Sequence, residues 1–186
     1  MNHSVPIPLT AAQIIADSPE FQAICGWPFA DAYITRLLLR DIPQRMAFGN
    51  CSVWTYRDPG GSLVGFGTLD VATDCGEYTG NRPHPYIPLL AIDPTIKSRG
   101  YGTSILDHLI GEAALLASAG LCFDVLFLDV YTANTKAITL YCKLGFQQIS
   151  PVPIPDPSQD GEPFIVMGKR VAVEPGIASP PNQPRT

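Results

Sequence analysis

The spacing of apolar residues changes period along the chain, and each change marks a predicted element. Thr10 to Asp17 has the pattern of a short helix capped by Thr10, and Ser18-Pro19-Glu20 supplies a second start with proline at the first helical position. Tyr33, Ile34, Leu37 and Leu38 recur at helical spacing and predict a helix from Pro28 to Arg40, ended by Ile42-Pro43. From Cys51 the period is two. A strand to Tyr56, a turn at Asp58-Pro59-Gly60-Gly61 and a returning strand from Leu63 to Ala72 make a hairpin. Gly65 and Gly67 share one face of the returning strand, where missing side chains mark a bulge or a close neighbour. A loop from Thr73 to Arg82 follows.

Strands and helices alternate in the second half. Pro85 to Ile92 is a third strand with Pro88 inside it, a residue that cannot donate to a ladder and so marks an edge, a bulge or a parting of strands. The helix from Tyr101 to about Ala119 places Ile105, Leu106, Leu109, Ile110, Ala113, Leu116 and Ala117 on one face and closes at Gly120. His108 falls on the other face, one turn before Glu112, and is read as solvated. Asp124 to Tyr131 is apolar on both faces, as a central strand is; Asn134 to Leu144 is a helix stopped by Gly145, and Phe146 to Ile149 a short strand. The proline-rich stretch from Pro151 to Pro163 is a shaped surface loop or lid before the last strand, Phe164 to Val171. One domain over 1–173 is expected, with a proline-rich, poorly ordered tail over 174–186.

Composition narrows the function classes. At 186 residues, 46% hydrophobic and 16% charged, the chain is of globular type, and a net charge of -5 disfavours nucleic acid and acidic membranes as partners. The start, Met1-Asn2-His3-Ser4-Val5-Pro6, is not a basic segment leading into an apolar one, and no apolar run approaches membrane-spanning length. The expected location is the cytoplasm. Five widely spaced cysteines with no C-x-x-C pair fit a reducing compartment and argue against both disulfides and a structural metal.

The stretch from Ile92 to Thr103 carries the chemistry. An apolar run ends, Lys97 and Arg99 follow, and a helix starts behind Gly100 and Gly102. Glycines admit a ligand close to the backbone, and a helix start offers unpaired N–H groups to an anion. The competing reading is a plain strand-to-helix turn with solvated cations. A Walker loop does not fit, because the lysine precedes the glycines, and a dinucleotide fingerprint does not fit, because Ile105 stands where its third glycine belongs.

With Lys97-x-x-Gly100-x-Gly102, the strand Leu126-Phe-Leu-Asp-Val130, Asn134 and Tyr141-Cys-Lys-Leu-Gly-Phe146, the chain resembles the GNAT acetyltransferase superfamily. Lys97 departs from the glutamine or arginine usual at its position. The resemblance implies a mixed, mostly antiparallel sheet with helices on both faces and a central splayed parallel strand pair. It also implies acetyl-CoA as cosubstrate, without a metal, and direct transfer to an acceptor, an amine on a small molecule or a peptide; a homodimer is allowed. The pyrophosphate would lie on Lys97, Ser98, Arg99, Gly100, Tyr101, Gly102 and Thr103. The pantetheine arm would run beside Leu90, Ala91 and Ile92, with the Leu90 N–H toward the thioester oxygen. Asn134 would contact the cofactor and Tyr141 would protonate the departing thiolate. For the base, the strand before Asp93 holds no carboxylate; His84 is the named candidate, though in a loop between two prolines, with Glu77 and Asp70 nearby, and a water chain or an already deprotonated substrate is an equal alternative; Asp129 is read first as paired with a neighbouring backbone group or cation and only second as a site carboxylate. The alternatives are an acyl-CoA-binding or sensor module of the same fold and a nucleotide-phosphate-binding protein.

Overall fold

A computed structural model of the chain describes residues 4–10, 19–27, 40–73, 83–96, 99–119, 123–157 and 161–171. The helices expected over 10–17 and 28–40, most of the loop over 73–82 with Glu77, the pair Lys97 and Ser98, and the tail over 174–186 lie outside these residues, except for Thr10, Arg40 and Thr73 at their ends.

The described strands are β1 (Val5–Leu9), β2 (Cys51–Arg57), β3 (Leu63–Thr73), β4 (His84–Ile87), β5 (Leu90–Ile92), β6 (Val125–Tyr131), β7 (Gln147–Gln148), β8 (Ile154–Pro155) and β9 (Pro163–Arg170). They form one sheet in the order β1-β2-β3-β4-β6-β9-β7, with β5 also on β3 and β8 also on β9. Every pairing is antiparallel except β4 with β6. The helices are α1 (Pro19–Cys25), α2 (Ile42–Ala47), α3 (Tyr101–Ser118) and α4 (Thr135–Lys143).

Alternation along the strands sends apolar side chains to both faces of the sheet and builds two cores. On one face Ile105, Leu106 and Leu109 of α3 and Tyr141 of α4 pack on Trp54, Tyr56, Leu126 and Leu128. On the other, Ile24 of α1 and Ile42 of α2 pack on Val53, Phe66 and Ala91. Gly65 and Gly67 are the close approach that their spacing predicts: a side chain at Gly65 would run into Ile105 and the Ala91 carbonyl, and one at Gly67 would meet Leu109 and Tyr56. These glycines let α3 lie down on β3.

Ile42-Pro43 opens α2, where proline occupies the first turn and its missing N–H costs nothing; the helix expected before it lies outside the described residues. Three expectations are corrected. The strand expected from Pro85 to Ile92 is two strands, β4 and β5, interrupted at Pro88-Leu89. His108 is not solvated: its ring is half-buried between Trp54 and Tyr56, with Nδ1 3.0 Å from the Tyr56 hydroxyl and Nε2 3.5 Å from Glu112, and burial lowers its pKa. The short strand after α4 keeps only Gln147–Gln148, and the loop after it includes β8. The sequence reading also passed over β1. Its prolines at 6 and 8 hid it, and they fit an edge, since at alternate positions they remove the N–H groups from one side of the strand.

Candidate active site

The site begins where two strands part. β4 is held to β6 in parallel at Tyr86–Phe127 and Ile87–Leu128, and β5 pairs only with β3. The break is a bulge. Between the pairs Asp70–Tyr86 and Gly67–Leu90, β3 advances three residues while its partner advances four. Thr68 secures it: its N–H donates to the Leu89 carbonyl at 3.0 Å, and its hydroxyl accepts from the Leu89 N–H at 3.0 Å.

Beyond the bulge the ladder decides which amides are free. Thr68 N–H bonds Leu89 O and Asp93 N–H bonds Val64 O, each at 3.0 Å, so Gly67–Leu90 and Gly65–Ile92 are the non-bonded pairs and Phe66–Ala91 the bonded one. The peptide groups of Leu90 and Ile92 therefore turn away from β3, into the gap on the β6 side. Ala91, named with them, spends its peptide groups on β3 and buries its methyl in the second core.

A short turn, Pro94–Ile96, leads from β5 toward the start of α3. Gly100 caps that helix with φ of +87°, a left-handed conformation that side chains disfavour, and has no side chain of its own to satisfy the first-turn N–H groups. Ser104 N–H, 3.2 Å from Gly100 O, closes the first turn, so the N–H groups of Tyr101, Gly102 and Thr103 precede the intrahelical bonds. Gly102 has a packing role as well. A methyl there would stand 2.8 Å from Ile92 Cδ1 and 3.1 Å from Leu140 Cδ2, so its absence lets the helix start sit between β5 and α4. Tyr101 turns its ring into the core, leaving only backbone for a ligand, and Arg99 is exposed. An uncapped helix start behind a left-handed glycine, with the free amides of β5 leading away from it, fits a diphosphate carrying an extended arm.

Of the two residues expected on α4, Asn134 is the helix cap: its Oδ1 accepts the Ala137 N–H at 3.2 Å, and the residue is otherwise exposed. Tyr141 is buried against Phe146, and burial pushes its pKa up to about 12. It holds its proton throughout the neutral range.

The opposite face of the sheet carries a cavity of about 320 Å³ lined by Arg45, Thr73, Tyr86, Asp129, Ile154, Phe164 and Val166. Asp129 is the residue after Leu128, the last to pair with β4, so its carboxylate stands where the splay begins. Tyr86 donates to Asp129 Oδ2 at 2.6 Å. Water reaches Asp129 through the cavity while the surrounding protein withholds bulk solvation. That desolvation raises its pKa, the Tyr86 hydrogen bond pulls it down, and the charge of Asp156 raises it further. Asp156 is itself held by the Tyr131 hydroxyl at 2.7 Å. Arg45 Nη1 bonds Asp70 Oδ2 at 2.6 Å.

His84, the named base, is neither in a loop nor exposed. It opens β4, buried with its ring edge against Phe127, and is not among the cavity's lining residues; its Nδ1 has no hydrogen-bond partner. Arg45 and Tyr86 went unnoticed as site residues. Asp129 had a signal in the sequence, being the single charge in the apolar strand VLFLDVY. Among the described residues no cluster of three or more His, Cys, Asp or Glu is arranged to hold a metal ion, and no helix is long and apolar enough to cross a membrane.

The profile of the Acetyltransferase (GNAT) family matches residues 16–146. A ribosomal protein bS18 alanine N-acetyltransferase of Salmonella typhimurium is 41% identical over 59 residues, 32% of this chain and 36% of that protein. The Escherichia coli K12 enzyme of the same name is 34% identical over 85 residues, 45% and 54% respectively. The matches thus span about half or less of those relatives' length. In three dimensions the crystal structure of the Escherichia coli ribosomal-protein-S18-alanine N-acetyltransferase superposes with a TM-score of 0.63 at 19% identity, covering 98% of this chain and 99% of that one. The Salmonella typhimurium protein yncA, solved with its cofactor acetyl-CoA, gives 0.62 at 18% identity, covering 98% and 100%.

Proposed function

Since the chain belongs to the GNAT family of acetyltransferases, we propose that it moves an acetyl group from acetyl-CoA to an amine in a ternary complex, with Asp129 taking the amine's proton and Tyr141 supplying one to the thiolate. The observation that carries this reading is the position of Asp129: the carboxylate stands at the mouth of the splayed pair, hydrogen-bonded by Tyr86 and lining a cavity on the face opposite α3. It takes the place of His84 as the base.

Acetyl-CoA, when bound, supplies the thioester carbonyl. The chain's own groups do the rest. The first-turn amides of α3 and the left-handed Gly100 hold the diphosphate, and the Leu90 N–H, turned into the gap, offers an oxyanion-type contact to the carbonyl oxygen. The amine enters from the cavity side, protonated in water, and gives its proton to Asp129, whose raised pKa brings it nearer that of its partner. A nitrogen–carbon bond forms, the carbon–sulfur bond breaks, and the Tyr141 proton, retained with a pKa of about 12, passes to sulfur; the second proton that nitrogen sheds on becoming an amide goes to water, from which Tyr141 is reprotonated as Asp129 releases its own. Two groups on opposite faces of one sheet thus address the two ends of a thioester lying through its gap.

The relatives' names carry an alanine of ribosomal protein bS18, acetylated on nitrogen, as acceptor, and a peptide or protein amino terminus is the acceptor class we assign, with the cytoplasm as the place of action. Calorimetry with acetyl-CoA, followed by a thiol-release assay with an alanine-initiated peptide and its N-acetylated form, tests the reading. Binding, with release only on the free amine, is expected. No heat on titration of acetyl-CoA would overturn it.

A further inference from the structure

Resting on that reading, we infer that the Arg45–Asp70 pair makes the cavity select amines that neighbour an uncharged carbonyl, as in a peptide terminus or an amino-acid amide, against free amino acids whose neighbour is a carboxylate. The geometry starts on β3. Asp70 is paired with Tyr86, which lies beside Phe127 of β6, so the wall carrying Asp70 adjoins the wall carrying Asp129. Arg45 comes from the last turn of α2 and reaches down to Asp70 at 2.6 Å; the Asp70 side chain is 5% exposed and that of Arg45 42%. One end of the guanidinium is fixed by a buried carboxylate, and Arg45 lines the cavity that Asp129 also lines, which leaves further donors of the fork for a ligand there.

Charge decides what this fork can hold. Asp70 offsets Arg45, and the charge of Asp156 acts on Asp129, so the cavity's one described lining cation is matched by its partner while the lining carboxylate has a second carboxylate beside it. An ammonium is attracted to such a place. A second carboxylate beside that ammonium is repelled, because the only guanidinium among the described lining residues is already neutralised. A neutral carbonyl oxygen keeps the benefit of an N–H donor without that repulsion. The pair therefore sorts acceptors by the charge of the group next to the amine.

The test compares kcat/KM for alanine amide, free alanine and isopropylamine, which share a branched amine but differ in the neighbouring group. Alanine amide should exceed free alanine by about 10-fold or more, and Arg45→Met should reduce the alanine-amide to isopropylamine ratio by about 10-fold, the loss of one good hydrogen bond. Asp70→Asn, which unmasks the guanidinium's charge while keeping the size of its partner, should raise free alanine relative to the amide. Calorimetric acetyl-CoA binding checks that each variant is folded. Equal use of alanine and its amide by the wild-type protein, or an Arg45→Met loss that falls equally on isopropylamine, overturns the inference while leaving acetyl transfer standing. Absence of acetyl-CoA binding, or of thiol release with every amine, overturns both.

Discussion

Asp129 is wetted by the cavity yet poorly solvated, and the three influences on its carboxyl can be separated by substitution. As a base it must be ionised, and its pKa is raised above the ordinary carboxylate range of about 4. Activity should therefore be lost, as pH falls, at a higher pH than an exposed carboxylate would give. Asp156→Asn removes a repulsion that raises this pKa, so the acid limb of the kcat/KM profile should move to lower pH. Tyr86→Phe removes a hydrogen bond that lowers it, so the limb should move to higher pH. A profile unmoved by both substitutions would assign the limb to another group. Tyr141 belongs to the other end of the scale, where burial alone keeps the phenol protonated up to about pH 12.

The elements around the gap show how far the residue pattern reaches. The hairpin of β2 and β3 was legible because period two and a Pro-Gly-Gly turn are local signals, and Pro88 marked an irregularity whose kind, an edge, a bulge or a parting of strands, only the pairing decides. That the strand breaks into β4 and β5 was not legible, since the bulge is fixed by Thr68, which lies twenty-one residues away in the chain from Leu89. His84 was misread for the same reason: its flanking prolines signal a loop, and only pairing with Thr73 of β3 makes it part of a strand. The two glycines at the start of α3 looked alike in sequence and differ in cause. Gly100 needs its conformation and has open space around it, whereas Gly102 needs room. Gly100→Ala should cost about 1–2 kcal/mol of backbone strain and Gly102→Ala about 1–3 kcal/mol of overpacking. Each kcal/mol lowers the Tm by about 2–4 °C in a domain of this size. Thermal denaturation should show both variants destabilised, and only Gly102→Ala relieved by Ile92→Val in the same chain, which removes the Cδ1 that the new methyl would meet at 2.8 Å.

On the scale of the molecule, the sheet is a partition. α3 and α4 lie on one face with Tyr141 and the helix start proposed to hold the diphosphate, and α1 and α2 on the other with the cavity, Asp129 and the Arg45–Asp70 pair. In the proposed reaction the thioester reaches from one face to the other where β5 and β6 are not paired. Motifs in the sequence pointed to the first face, because helix starts and glycines are local features; the second face is assembled from β3, β4, β6, β8, β9 and α2, elements far apart in the chain, and only Asp129, Asp70 and His84 are sequence candidates on it. The account stands on the claim that Asp129 at the splay takes the proton of the attacking amine. The measurement that tests it most directly is the rate of thiol release from acetyl-CoA with an alanine-initiated peptide, for the wild-type protein and Asp129→Asn at pH 7, with acetyl-CoA affinity measured alongside. The account predicts a fall in kcat of about 100-fold or more with the affinity for acetyl-CoA kept; an Asp129→Asn variant that turns over at the wild-type rate would contradict it.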